Sequence, residues 1–261
     1  MSDPVRLGAD AVREAWDRAA DGYDAAQASG LDYYRYEFFG PAQAAICGDV
    51  RGLRLLDVGC GSGYFAREMA RRGAAVTAVD ISARMIAHAE RHAAADGLAI
   101  EHRVADAAAL ATLLPAASFD VATSCLALQD MPDPAAALRA VHAVLRPGGR
   151  FVASISHPCT ETPFRRWERD GEGRKRWLCI DRYFDRVPME FAWVRWSDPP
   201  FTTVALHATL EDWLTWSLDA GFALRALREP RPTEAALRAR PELAAAARVP
   251  YYVVFDLGKS G

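Results

Sequence analysis

No stretch of the sequence approaches the roughly 20 consecutive apolar residues that a membrane-spanning helix requires, so no membrane span is expected. Cysteine is scarce. Cys47, Cys60, Cys125, Cys159 and Cys179 are odd in number, far apart and never arranged C-x-x-C. That excludes a disulfide framework and a cysteine zinc site, and it leaves reduced thiols in a cytoplasmic protein as the expectation, with no metal. Charge of one sign is also lacking: 31 Lys+Arg against 34 Asp+Glu gives a formal net charge of −3. A surface that neutralises many phosphates is usually basic, so nucleic acid is not expected as a partner. No repeat or low-complexity tract is present. The opening Met-Ser-Asp-Pro-Val-Arg carries an acid early and runs into a polar, helix-like segment, unlike a signal peptide.

What is present is an ordinary globular mixture, 51% hydrophobic and 25% charged over 261 residues, enough for one large, well-buried domain. Residues 9–27 carry Val12, Trp16, Ala19, Ala20 and Tyr23 at helical spacing, and residues 28–50 bring an aromatic cluster and a second helix. From residue 53 short apolar runs alternate with amphipathic segments. Leu53–Val58, Ala75–Val79, Ile100–Val104, Phe119–Cys125 and Phe151–Ser156 read as strands. Helices are expected over Tyr64–Arg72, from the N-cap Ser82 to about residue 96, and from the Asp133-Pro134 cap to Pro147. The alternation predicts an α/β fold, a doubly wound and mostly parallel sheet. Residues 158–206 break the pattern with Trp, Arg, Tyr and Pro and only fragments of strand, Phe191–Trp196 and Thr202–His207. A helix Leu210–Ala220 and strands Phe222–Leu227 and Tyr251–Leu257 resume it and bring the sheet to seven strands. The expected organisation is a helical cap over 1–50 and one domain over 51–261 with a lid inserted at about 158–206.

The chemistry concentrates at the first strand–helix turn, Asp57-Val58-Gly59-Cys60-Gly61-Ser62-Gly63. Three glycines in five residues let backbone press against a ligand and leave N–H groups facing it. Asp80 closes the second strand 21 residues after Gly59, placed to accept hydrogen bonds from two ribose hydroxyls; the alternative is a capping or solvated acid. A nicotinamide dehydrogenase would want glycine at 64, where Tyr64 stands, and no Tyr-x-x-x-Lys pair is present. A serine hydrolase would want G-x-S-x-G, whereas Ser62 lies in Gly-Cys-Gly-Ser-Gly.

The ordered set of motifs resembles the class I S-adenosylmethionine-dependent methyltransferases, with a Rossmann-like sheet. It comprises Leu55 through Gly63, Val79-Asp80-Ile81-Ser82, Val104-Ala105-Asp106-Ala107, Ser118-Phe119-Asp120-Val121, Leu145-Arg146-Pro147-Gly148-Gly149 and the closing Val249–Phe255. Trp16 and Tyr23-Asp24 in the first helix, with Ser156-His157-Pro158 after the fifth strand, are similar to the UbiE/type 11 small-molecule branch. The resemblance implies S-adenosylmethionine as cofactor. It places Asp57, Gly59, Cys60 and Gly61 at the methionine part of the donor, Asp80 at its ribose, and Ile81 and Met85 over its adenine. Asp106 would accept from the exocyclic amine beside Ala107, and Cys125 and Leu126 would touch the methionyl portion. Tyr23 joins this set, and Arg35 matches an arginine that pairs with the donor's carboxylate in some relatives, a surface role being the alternative.

Methyl transfer needs an acceptor held in line and, for a hydroxyl or protonated amine, a group that removes a proton. His157, just past the fifth strand, and His207 are the candidates, each with a structural role as its alternative. Gln129, Tyr34 and Tyr183 are the candidate acceptor contacts; Asp130 reads equally as a turn residue. The lid's Phe164, Trp167, Trp177, Tyr183, Phe184, Phe191, Trp193, Trp196 and Phe201 suggest an apolar or aromatic acceptor, or else form the insertion's own core. The basic run from Arg165 to Arg176 reads as a solvated loop. The expected function is in-line transfer to an O, N or C nucleophile of a small metabolite by a monomer or homodimer. A protein or RNA methyltransferase is the second reading, although no Asn/Asp-Pro-Pro-Tyr/Phe follows the fourth strand. A non-catalytic donor-binding protein is the third.

Overall fold

The computed structural model describes residues 7–30, 32–193 and 200–261. Helix α1 (Ala9–Ala28) and a π-helical turn (Arg35–Phe39) lead into α2 (Gly40–Cys47). Strands and helices then alternate: β1 (Arg54–Val58), α3 (Tyr64–Arg71), β2 (Ala75–Asp80), α4 (Ala83–Ala95), β3 (Ile100–Val104), α5 (Leu110–Leu113), β4 (Phe119–Cys125), α6 (Pro134–Val144) and β5 (Leu145–Ser156). Two hairpins follow, β6 (Phe164–Arg169) with β7 (Lys175–Asp181) and β8 (Val187–Ala192) with β9 (Thr202–His207). The chain ends through α7 (Leu210–Asp219), β10 (Phe222–Arg228), α8 (Glu234–Ala239) and β11 (Tyr252–Lys259).

The main sheet has seven strands in the order β10-β11-β5-β4-β1-β2-β3. All neighbours are parallel except β11, which runs antiparallel to β10 and β5. The alternation of side chains along each strand feeds two cores. Leu55, Val121, Val152 and Val254 pack with α2, α3 and α4 on one face. Leu56, Ala122, Phe151 and Phe255 pack with α5, α6 and α7 on the other. The chain winds outward from β1 to β3 and then returns to β4 on the other side of β1. The carboxyl ends of β1 and β4 therefore diverge into a crevice where ligands of such sheets bind. Helix α1 is pinned beside that crevice onto α4: Asp17 accepts from the Ser82 hydroxyl at 2.6 Å, and Asp24 faces Arg91 at 2.7 Å and His92 at 2.6 Å.

Several boundaries differ from expectation. The fifth strand begins at Leu145, since Leu145 already pairs with Phe119 and the Pro147-Gly148-Gly149 turn is absorbed as a register shift. The basic run is a hairpin, not a loop. Asp170 closes the turn by accepting from the N–H of Glu172 and of Arg174. The fragment expected at Phe191–Trp196 begins at Val187, and Trp196 lies outside the described residues. Helix α8 was not expected from the pattern, being only six residues long.

A capping box starts α7. The Thr209 hydroxyl accepts from the Asp212 N–H at 3.1 Å while Asp212 accepts from the Thr209 N–H at 3.0 Å. Asp212 also holds Arg186, which ties the lid to this helix. Thr209→Ala is expected to cost about 1 kcal/mol, read as a fall in Tm of roughly 2–4 °C. An unchanged Tm would show that Arg186 alone holds Asp212.

Candidate active site

The turn after β1 is held open by its own backbone. Gly59 has φ of +71°, and a Cβ there would stand 2.5 Å from the Ala127 Cβ, so only glycine fits. The Gly59 and Cys60 N–H groups donate to the Val79 carbonyl at 2.8 and 3.0 Å, locking the turn to β2. Asp80 completes the lock: one carboxylate oxygen accepts from the Gly61 N–H and the other from the Ser82 N–H, each at 2.9 Å. The residue also lines the crevice. Burial pushes the Asp80 carboxyl up to about 6 against these stabilising bonds.

Asp57 is fully buried at the end of β1. Its Oδ1 accepts from the Thr123 hydroxyl at 2.8 Å, the Ala66 N–H also favours the carboxylate, and its Oδ2 is enclosed without a close hydrogen-bond partner among the described residues. Burial lifts this carboxyl to about 7, tempered by the Thr123 bond. A buried carboxylate oxygen without a partner is the feature a cationic ligand group would satisfy. Farther along the crevice, Asp106 caps the following 3-10 turn by accepting from the Ala108 N–H at 2.9 Å.

At the opposite end, Leu126 takes φ of +53° and donates its N–H to the Ser154 carbonyl, turning the chain after β4 across the crevice. Arg35 is buried at the start of the π-helical turn. Its Nε meets Asp32 at 2.9 Å and its Nη2 donates to the Tyr23 hydroxyl at 2.8 Å, with the Tyr23, Phe39 and Tyr64 rings around it. Nη1 makes no hydrogen bond among the described residues. The surface alternative for Arg35 is thereby corrected: its guanidinium is enclosed by rings and by Asp32.

The structure brings Tyr23, Arg35, Asp57, Gly59, Cys60 and Gly61 together with Asp80, Ile81, Met85, Asp106, Ala107, Cys125 and Leu126 around one narrow cavity. A second, wider cavity of about 500 Å³ adjoins it, lined in part by residues of the hairpins. The two share Trp16, Tyr23, Arg35, Leu126 and Asp130 as a common wall. Tyr34 and Gln129 line the wider cavity, as do Trp167, Phe191, Trp193 and Trp213.

Three candidates are corrected. His157 lines neither cavity: its Nε2 faces Glu229 at 3.1 Å and its Nδ1 accepts from the Cys159 N–H, because the chain turns away beyond β5. His207 does border the wider cavity, but both ring nitrogens stand 3.0 Å from backbone carbonyls, those of Glu161 and Tyr183, so the ring is engaged by the lid backbone. Tyr183 points its hydroxyl away to accept from the Leu210 N–H at 3.0 Å, with Phe184 and His207 against its ring. Asp130, directly after Gln129, lines both cavities, and Glu161 lines the wider one; neither lies in a motif that marks it in the sequence.

The enclosed Asp57 oxygen, the arginine with a spare N–H and the glycine turn fit the ammonium, carboxylate and backbone approach of S-adenosylmethionine. Residues 56–153 match the family model described as a methyltransferase domain. A ubiquinone biosynthesis O-methyltransferase of Xanthomonas euvesicatoria is 40% identical over 106 residues, 41% of this chain and 44% of the relative. One from Azotobacter vinelandii is 41% identical over 106 residues, 40% of this chain and 45% of the relative. The chain thus spans less than half the length of these curated relatives. A Listeria monocytogenes structure superposes with a TM-score of 0.71 at 23% identity over 85% of this chain and 96% of that one, which speaks to the fold. The S-adenosylmethionine dependent methyltransferase of Mesorhizobium loti is 36% identical, with a TM-score of 0.69 over 84% of this chain and 96% of its own. Near-complete coverage of that enzyme at this identity, on the sheet order described above, means that the chain belongs to the S-adenosylmethionine-dependent methyltransferases and takes S-adenosylmethionine as its cofactor.

Proposed function

We propose that the protein methylates a hydroxyl oxygen of a small aromatic or apolar molecule held in the wider cavity. The carrying observation is that this aromatic-lined cavity meets the donor cavity along one shared wall. Oxygen is favoured over nitrogen or carbon because the matched curated relatives are named O-methyltransferases. A cavity bounded by Trp167, Phe191 and Trp193 suits a flat apolar body. The net charge of −3 does not favour nucleic acid as the acceptor.

Residues 1–50 act as a cap and about 158–206 as a lid over the domain of 51–261. No helix among the described residues is long and apolar enough to cross a membrane, and we place the enzyme in the cytoplasm as a monomer or homodimer.

The donor's sulfonium supplies an electrophilic methyl group without further activation. The chain's task is to orient and to exclude water. Arg35, through its spare Nη1, is assigned the donor's carboxylate, and Asp57 its ammonium. Asp80 is assigned the ribose hydroxyls, and Asp106 with Met85 and Ile81 the adenine. Tyr34 and Gln129 are assigned to the acceptor.

Incubation with methyl-labelled S-adenosylmethionine and a panel of simple phenols, alongside transfer RNA and casein, tests the reading. Label is expected on phenols alone; labelled macromolecule with unlabelled phenols would overturn it. Asp80→Ala removes the acceptor of the Gly61 and Ser82 N–H groups together with the ribose contact. Calorimetry is expected to show donor affinity reduced by roughly 10- to 100-fold, and undiminished affinity would contradict the ribose assignment.

A further inference from the structure

We propose that Asp130 is the proton acceptor of the reaction, positioned at the junction of the two cavities to take the proton of the acceptor's hydroxyl. The inference deepens the function proposed above and rests on it.

The argument begins with where the methyl group must pass. Transfer joins an atom in the wider cavity to one in the donor cavity, so a group that removes a proton at that point must border both. Among the described residues five do so. Trp16 and Leu126 have no basic atom. Arg35 is a cation held by Asp32. The Tyr23 hydroxyl is engaged by Arg35, and burial drives its pKa upward, away from a phenolate. Asp130 alone remains.

Its surroundings suit the task. Among the described residues no cation lies against the Asp130 carboxylate. Its one neighbouring donor is the Gln129 Nε2, at 3.5 Å, a contact too long to occupy it. That nitrogen is instead committed to the Leu126 carbonyl at 3.0 Å. The other acids are committed elsewhere. Asp57, Asp80 and Asp106 border only the donor cavity; Asp32 and Glu161 border only the wider one and hold Arg35 and Arg165. Burial, with the Asp80 charge nearby, also raises the Asp130 carboxyl well above the ordinary carboxylate range, which makes its carboxylate a stronger proton acceptor than an exposed one. The 3-10 turn Leu128–Asp130 fixes its place.

The step balances without another reactant. The O–H proton passes to a carboxylate oxygen of Asp130 as an oxygen lone pair forms the new C–O bond. The C–S bond breaks with its electron pair left on sulfur. The products are a methyl ether, S-adenosylhomocysteine and a protonated Asp130, which returns its proton to water.

The test compares wild type, Asp130→Asn and Asp130→Glu on 4-methylphenol and 4-nitrophenol at pH 8.5, where only the second is largely ionised. Binding of 4-fluorophenol to the S-adenosylhomocysteine complex is followed in parallel by fluorine NMR, and S-adenosylhomocysteine affinity by calorimetry. For Asp130→Asn, kcat on 4-methylphenol is expected to fall by at least roughly 100-fold, the low end of general-base contributions. Turnover of the already ionised 4-nitrophenol should stay within about 5-fold, because it has no proton to give. The bound fluorine resonance should shift in the variant, S-adenosylhomocysteine affinity should hold, and Asp130→Glu should recover part of the 4-methylphenol rate. Equal losses on both phenols, or none, would overturn the assignment, as would an identical bound fluorine shift in wild type and variant. A wild type that neither methylates a phenol nor binds 4-fluorophenol would instead remove the acceptor-cavity reading, and the role of Asp130 with it.

Discussion

Gly59→Ala is expected to leave a folded protein that binds S-adenosylmethionine roughly 10²- to 10³-fold more weakly, a loss of about 3–4 kcal/mol. Two separate costs meet at this position. The backbone holds φ at +71°, where an L side chain is strained by about 1–2 kcal/mol. The added Cβ would also stand 2.5 Å from the Ala127 Cβ, with the Met131 methyl at 3.4 Å, far inside van der Waals contact. Ala127 cannot retreat easily. It lies between Leu126, already at positive φ, and the buried Leu128 that anchors the next turn. The turn must therefore move instead, and with it the Gly59 and Cys60 N–H groups now bonded to Val79 and the Gly61 N–H now bonded to Asp80. The lesion falls on the donor cavity, since the packed strands behind it are untouched. Calorimetry with S-adenosylhomocysteine and circular dichroism together check this. Retained affinity would mean that the turn relaxes without loss, whereas global unfolding would place the damage in the sheet.

The elements that were legible in the sequence are those where local chemistry and tertiary packing agree. Ile100–Val104 and Phe119–Cys125 have the bounds expected, and Ser82 and Asp133 cap their helices through the predicted contacts. The donor cavity was legible for the same reason: its glycines and acids sit at fixed offsets from strand ends, and a parallel sheet aligns strand ends on one side. The acceptor side was not. His157 follows a strand that ends at the correct edge, but whether the chain then turns inward or outward depends on the Tyr251 carbonyl that receives its N–H and on the Glu229 side chain beyond, both more than 70 residues away. His207 was placed near the cavity by its position before α7, yet two carbonyls from distant lid residues occupy its nitrogens. The basic run gave no strand signal because β6 and β7 have no core beneath them: Phe164 and Trp177 stay exposed, so the alternation that marks a half-buried strand is absent.

Asp57→Asn should separate stability from function in opposite directions. In the folded protein the Asp57 carboxyl is raised to about 7 from its ordinary 3.8, chiefly by burial. Below pH 4 both folded and unfolded chains hold the proton. Between about 4 and 7 only the folded chain retains it, so the folded state binds more protons and stability falls as pH rises. The full effect is roughly 4 kcal/mol, complete above pH 7. Asp80, raised to about 6, adds a second decline of the same sign that ends at lower pH. The protein without donor should therefore melt at lower temperature at pH 8 than at pH 5.5. Asparagine removes the buried charge but leaves an amide with one poor partner, so the variant at pH 8 should gain about 1–2 kcal/mol, or roughly 3–6 °C in Tm. The same change takes away the oxygen assigned to the donor's ammonium, and affinity at pH 8 should fall by roughly 100-fold, as expected for a lost charge-assisted bond in a dry site. Linkage gives an independent check. An ammonium beside Asp57 favours its ionised form, so donor binding near pH 6 must release a proton, and wild-type affinity must rise with pH up to about 7. Calorimetry in buffers of different ionisation enthalpy measures that release directly, and Asp57→Asn should reduce it. An unliganded Tm that does not change between pH 5.5 and 8, or binding by the variant as tight as wild type, would show that the enclosed Asp57 oxygen is not where the donor's positive charge rests.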